Sequence, residues 1–230
     1  MSKLQAIIFD LDDTLYSERD YVMSGFKAVA EWAAINLGAD EQYSRHTLLS
    51  LYCQGVRNNT FDQWLTIHEI DQPDAIPILL DVYRKHLPSL EPFDASTELL
   101  EKLVTSYKIG LVSDGYLEVQ QRKWQALRLN HFFDAVVFSD SLGRENWKPS
   151  TAPFQLVLEQ LNVDPAASVY IGDNPRKDFF GPRQLGMHTI WLKQVNSEYG
   201  HLQPPSSDYH PDLTIDSLAG VLELVGSWEK

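Results

Sequence analysis

Short apolar runs recur along the chain, and each breaks off in polar residues. Ala6-Ile7-Ile8-Phe9 stops at Asp10, and Ile109-Gly110-Leu111-Val112 stops at Ser113. Ala135-Val136-Val137-Phe138 runs into Ser139-Asp140, and Ser168-Val169-Tyr170-Ile171 into Gly172-Asp173. Thr189-Ile190-Trp191-Leu192 and Leu213-Thr214-Ile215 are weaker members of the series. Runs without polar alternation suit strands buried on both faces of a parallel sheet. Between them, residues 95–105, 117–127, 151–161 and 217–225 space their apolar positions at about 3.6 residues, the period of a helix. Pro149 and Pro153 fit the start of the third helix, and Asp216 or Ser217 can cap the fourth. Alternating strands and helices predict an α/β doubly wound parallel sheet. Ligands bind such sheets beyond the carboxyl ends of the strands, at a switch point. Those ends carry Asp10, Ser113, Asp140 and Asp173.

One interval is too long for this plan. About a hundred residues separate Asp10 from Ser113, whereas a strand–helix–strand unit needs roughly 30 or a little more. The excess reads as helix throughout, over 20–37, 41–54, 60–70 and 75–87, with Gly38 as a stop signal. Pro88, Glu91 and Pro92 mark the return to the sheet. The expected domains are a core of 1–15 and 92–230, and an inserted helical domain of 16–91.

Composition narrows the function classes. The 230 residues hold 43% hydrophobic and 11% aromatic side chains, enough to build a core rather than a disordered acidic tail. Lys+Arg 19 against Asp+Glu 32 leaves a net charge of −13, which argues against a nucleic-acid polymer or an anionic membrane as partner. No stretch approaches the roughly 18 apolar residues of a membrane span, and the first apolar run is too short for a signal peptide. A cytoplasmic protein is expected, with monomer and homodimer equally compatible. The single cysteine, Cys53, reads as a small buried apolar side chain. Residues 194–211, rich in Gly, Pro, Ser, Asn and His, read as a surface loop whose His201 and His210 are solvated.

The chemistry concentrates where the strands end. Asp10, Asp12 and Asp13 place three carboxylates within four positions after a buried strand. Like charges this close repel unless a cation compensates them, and Mg²⁺ prefers such oxygen ligands; a turn of solvated acids would read the same. Gly172-Asp173, with Asp178 five positions on, is a second acidic turn, though Asp-rich turns before helices are common. Ser113 and Gly115 offer a hydroxyl and backbone N–H groups before a helix, suited to an oxyanion and equally to an ordinary N-cap. Lys148-Pro149 opens another helix, and a lone lysine is usually a solvated charge.

Taken in order, the four turns resemble the haloacid dehalogenase superfamily, in the branch with a helical cap inserted after its first motif. The motifs are Asp10-x-Asp12-x-Thr14, then Ser113, then Lys148-Pro149, then Gly172-Asp173 with Asp178. Gly181 to Met187 matches the tail that often follows the fourth. The resemblance implies a Rossmann-like core, an α-helical cap domain, and a Mg²⁺-dependent phosphatase acting on a small phosphorylated metabolite. It assigns Asp10 as the nucleophile that becomes an aspartyl-phosphate, and Asp12 as the acid and base. Mg²⁺ would be held by Asp10, the Asp12 carbonyl and Asp173, with Asp178 reaching it through water or orienting Lys148. Ser113, Gly115 and Lys148 would hold the phosphoryl group. Dehalogenases of the superfamily lack an acid two positions after the nucleophile, so Asp12 points to phosphoryl transfer. The alternatives are a phosphomutase, a dehalogenase-type hydrolase and a phospho-accepting receiver-like regulator. Asp114 stands where Asn is common, which puts substrate contacts in question, and it is kept as a candidate substrate residue with Tyr16 and Arg57. Arg45, Asn58, Asn59 and Arg84 are further candidates for specificity in the cap.

Overall fold

A computed structural model describes residues 3–194 and 197–227. The chain divides into two compact units, one formed by residues up to Ser17 and from Glu91 onward, the other by Glu18–Leu90.

The first unit is built on a six-stranded sheet. Its strands are β1 (Ala6–Phe9), β2 (Lys108–Ser113), β3 (Ala135–Phe138), β4 (Ser168–Gly172), β5 (His188–Leu192) and β6 (Leu213–Ile215), in the order β3-β2-β1-β4-β5-β6. Every pairing is parallel. All four residues of β1 are fully buried, as its position at the middle of the sheet requires. The order reverses between β1 and β4, and the register aligns Phe9 with both Leu111 and Ile171. Asp10, Ser113 and Asp173 therefore come to the same end of the sheet around the switch point.

Helices in this unit are α5 (Asp94–Leu103), α6 (Leu117–Leu127), α7 (Ala152–Leu161), α8 (Phe180–Leu185) and α9 (Val221–Ser227). One core cluster joins Ala6, Ile8, Val112, Val137 and Tyr170 of the sheet to Phe154, Val157, Leu158 and Leu161 of α7. Pro153 lies in the first turn of α7, where its missing N–H costs nothing. Ser217 accepts from the Ala219 N–H, but the element it caps is a short 3-10 turn, and α9 begins only at Val221. The N-terminus of α6 is satisfied from elsewhere in the sheet: Asp140, just beyond β3, accepts from the Leu117 N–H at 2.9 Å.

The second unit comprises α1 (Glu18–Leu37), α2 (Glu41–Cys53), α3 (Thr60–Ile67) and α4 (Ala75–Lys85). Phe26, Val29, Ala33, Leu48, Leu51, Phe61, Trp64, Leu65 and Leu79 form its core. Asp40 caps α2 by accepting from the Tyr43 N–H. Cys53 corrects the sequence expectation. It is exposed, because α2 turns its core stripe through Ser44, Thr47, Leu48 and Leu51 and leaves its last residue outside. Among the described residues, no helix is long and apolar enough to cross a membrane.

Candidate active site

Asp10 leaves β1 with its N–H donated to the Ile171 carbonyl of β4 at 2.8 Å, so its carboxylate starts from a fixed point. Lys148 reaches it from the turn before α7. Its Nζ donates to Asp10 Oδ1 at 2.5 Å, Asp178 Oδ1 at 2.8 Å and the Tyr170 hydroxyl at 2.9 Å. The lysine side chain is fully buried, as is that of Asp178. Burial disfavours its charge, but Asp10 and Asp178 outweigh that and hold Lys148 well above the usual lysine range. Asp10 moves the other way. Burial pushes it up and Asp178 adds to the rise, while Lys148 pulls it down, for a net value of about 6. Burial, with Asp178 and Asp10 beside it, also raises Asp173 well above the carboxylate range.

Asp10, Asp173 and Asp178 can each present one oxygen so that all three lie within 4.8 Å of one another. Asp173 Oδ2 is buried with no partner among the described residues. Three carboxylates, two of them sharing Lys148, with an orphaned oxygen among them, fit a hard divalent cation such as Mg²⁺. Gly172 makes room for the cluster: a Cβ there would lie 2.5 Å from Asp178 Oδ2. Asp178 Oδ2 accepts from the Asn174 N–H at 2.8 Å, which holds the carboxylate in place.

Asp12 belongs to a neighbouring group. Its Oδ1 accepts from Lys123 Nζ at 2.7 Å and from the Tyr16 hydroxyl, and its Oδ2 accepts from Gln120 Nε2 at 2.7 Å. Burial would raise its pKa, but Lys123 and these hydrogen bonds prevail and lower it. Gln120 Nε2 also lies 2.7 Å from Ser113 Oγ and 2.7 Å from the Asp114 carbonyl. A model of the haloacid dehalogenase-like hydrolase family matches residues 7–192, which include every one of these groups. The chain belongs to that family.

Relatives of this hydrolase include glyceraldehyde 3-phosphate phosphatase of Methanothermobacter thermautotrophicus, 32% identical over 96% of this chain and 100% of that one. Pyrophosphatase PpaX of Bacillus cereus is 25% identical, covering 99% of each chain. Among solved structures, the magnesium-bound HAD-hydrolase YfnB of Bacillus subtilis aligns with a TM-score of 0.71 at 19% identity, over 97% of this chain and 99% of that one. A 2-haloacid dehalogenase of Pseudomonas syringae aligns with a TM-score of 0.65 at 22% identity, over 98% and 99%. Likeness at that level shows the fold alone, and the fold holds both chemistries.

The remaining candidates in the hydrolase are placed as follows. Asp114 is turned into the protein: Oδ1 accepts from the Lys148 N–H at 3.1 Å and from the Ser139 hydroxyl, and Oδ2 lies 3.7 Å from Lys177 Nζ. Tyr16 is fully buried against Asp12. Arg57 lies in the helical unit, donating to the Tyr52 and Val56 carbonyls with its guanidinium 4.0 Å over the Tyr52 ring. There it lines a cavity of about 180 Å³ with Asn58, Thr60 and Asp62. Sequence reasoning passed over Gln120, Lys123, Tyr170 and Lys177. The first two carried a signal: Gln120, Lys123 and Leu127 form the buried stripe of α6, and two of those three positions are polar. A polar side chain on a core-facing stripe needs a partner.

Proposed function

We propose that this hydrolase is a divalent-metal-dependent phosphatase that cleaves a small phosphomonoester through an aspartyl-phosphate on Asp10. The observation that carries the reading is the pair at the end of β1: Asp10 beside a buried lysine, and an acid two positions on, held ready in its own polar group. Asp10 attacks phosphorus and the bond to the ester oxygen breaks; Asp12, ionised in the free site and protonated once the phosphate dianion lies beside it, gives that oxygen its proton. Water then attacks the acyl phosphate, Asp12 takes the water's proton, and inorganic phosphate leaves. Lys148 stays charged throughout and faces the developing phosphoryl charge, joined by the Ser113 hydroxyl and the N–H groups near Gly115. Asp10, Asp173 and the Asp12 carbonyl would hold Mg²⁺, which supplies charge neutralisation between nucleophile and phosphoryl oxygens. Asp114 and Tyr16 act through Lys148 and Asp12 rather than on the substrate. The relatives' names support a small metabolite phosphate, with a triose phosphate or pyrophosphate among the first to try. The Glu18–Leu90 unit would serve as a cap that selects among such substrates, with Arg57, Arg45, Asn58, Asn59 and Arg84 as its polar candidates.

Release of inorganic phosphate from a panel of phosphomonoesters tests the reading. Turnover is expected with Mg²⁺ and is lost in a chelator. A long-lived acyl phosphate with no phosphate release would support the receiver-like alternative instead. Metal binding is measured separately by thermal melting. Mg²⁺ at a hundred times its Kd is expected to add about 2.7 kcal/mol of stability. Asp173→Asn removes that gain, and an undiminished shift in the variant would move the metal elsewhere.

A further inference from the structure

Gln120 touches both Asp12 and Ser113, which lie at the ends of different strands. Its amide nitrogen has three oxygens at 2.7 Å, from Asp12 Oδ2, Ser113 Oγ and the Asp114 carbonyl. A carboxylate and a carbonyl only accept, so the nitrogen and not Oε1 must face them. An amide nitrogen accepts nothing, so the Ser113 hydroxyl directs its own hydrogen away from Gln120. Gln120 is 1% exposed, and its Oε1 is buried with no partner among the described residues. The fold tolerates that orphaned acceptor, which works against its stability. It also shapes the second motif around the side chain. Gly115 sits at φ +130°, where a Cβ would lie 3.2 Å from Gln120 Cδ. One turn further along α6, Lys123 takes the opposite oxygen of Asp12 from a side chain only 4% exposed.

We propose that Gln120 is a positioning residue, passing through the slot left by Gly115 to lock the Asp12 carboxylate and the Ser113 hydroxyl in register, with Lys123 fixing the other edge of Asp12. The proposal rests on the acid–base role given to Asp12 above. It makes α6 part of the framework that holds the catalytic groups.

The test uses the full chain with Mg²⁺ and the ester turned over fastest in the panel. Gln120→Met keeps the volume and removes the donor; Gln120→Asn keeps the amide but shortens its reach, and serves if the first variant does not fold. Either is expected to lower kcat by roughly 10- to 100-fold, as misplacement of a reacting group by about an ångström does, with a smaller change in KM. The deciding measurement is a mutant cycle that treats Asp12 and Ser113 as one unit. In an Asp12→Asn, Ser113→Ala background, adding Gln120→Met is expected to cost less than about twofold more, because its targets are gone. A full multiplicative loss in that background would make Gln120 a general packing residue and overturn the proposal, as would wild-type kcat in both single variants. Wild-type turnover by Asp12→Asn alone would instead remove the acid–base reading on which the proposal rests.

Discussion

Asp10→Asn is expected to leave a folded protein that releases inorganic phosphate from every ester at least about a thousandfold more slowly than the wild type. Asparagine matches aspartate in size, and the N–H bond to Ile171 belongs to the backbone, so the turn after β1 keeps its anchor. What disappears is the carboxylate that forms the bond to phosphorus. Lys148 retains Asp178 and Tyr170 as partners, so the variant does not leave a buried cation bare. Turnover and a thermal melt on the same preparation check both halves of the expectation. An active variant would place the nucleophile elsewhere.

The largest effect on stability is expected from Lys148→Met. It removes the buried cation shared by Asp10 and Asp178, with Asp173 close by. Breaking a buried pair from one side costs about 3–5 kcal/mol, which for a chain of this size lowers Tm by roughly 10 °C. The loss depends on pH, and its sign follows from the native values. Asp10 sits near 6 and Asp173 is also raised, both above an unfolded aspartate, so the native state binds more protons over that interval. Stability of the metal-free chain therefore falls as pH rises from about 4 to about 6. Without Lys148, which pulls its pKa down, Asp10 holds its proton to still higher pH. The variant's deficit should be smaller at pH 5, where Asp10 is largely neutral, and larger at pH 8. Melts of both proteins in chelator at the two pH values check this. A deficit independent of pH would mean that lost packing, not uncompensated charge, is responsible.

The sheet was legible because parallel strands at the centre of a doubly wound fold have no exposed face. Ala6–Phe9 carries no polar position, and it is fully buried. The acids that follow stand out against such runs, which is why Asp10, Ser113 and Asp173 could be read as one end of one sheet. The insertion after Asp10 was legible from length, and its helices from their start and stop signals, Gly38 among them. Gln120 and Lys123 were not, because their meaning depends on which way α6 faces, and helical periodicity gives the stripe without its partner. Asp114 was ambiguous for a related reason. Its Oδ1 is taken by the Lys148 N–H and Ser139, contacts across more than twenty residues that no local pattern encodes. Lys148 ran against the usual rule for lysines, since only the convergence of Asp10 and Asp178 makes its burial tolerable. Cys53 failed in the opposite direction: composition favours a buried cysteine, whereas position at the last turn of α2 decided the matter.

The Leu15 carbonyl accepts both the Phe93 N–H at 2.9 Å and the Ser96 hydroxyl at 2.9 Å. The chain therefore departs from the sheet unit and comes back to it at almost one point. An excursion with adjoining ends is topologically a side branch, and what it contains is free to vary without altering the register of β1 against β2. It also eases assembly. Pairing Phe9 with Leu111 would otherwise require closing a loop of about a hundred residues. If Glu18–Leu90 condenses first, the remaining flexible length is roughly a quarter of that, and the entropy of closure falls by about 1 kcal/mol. Early collapse of the insert thus lowers the barrier to forming the strand pair on which the whole acidic cluster depends.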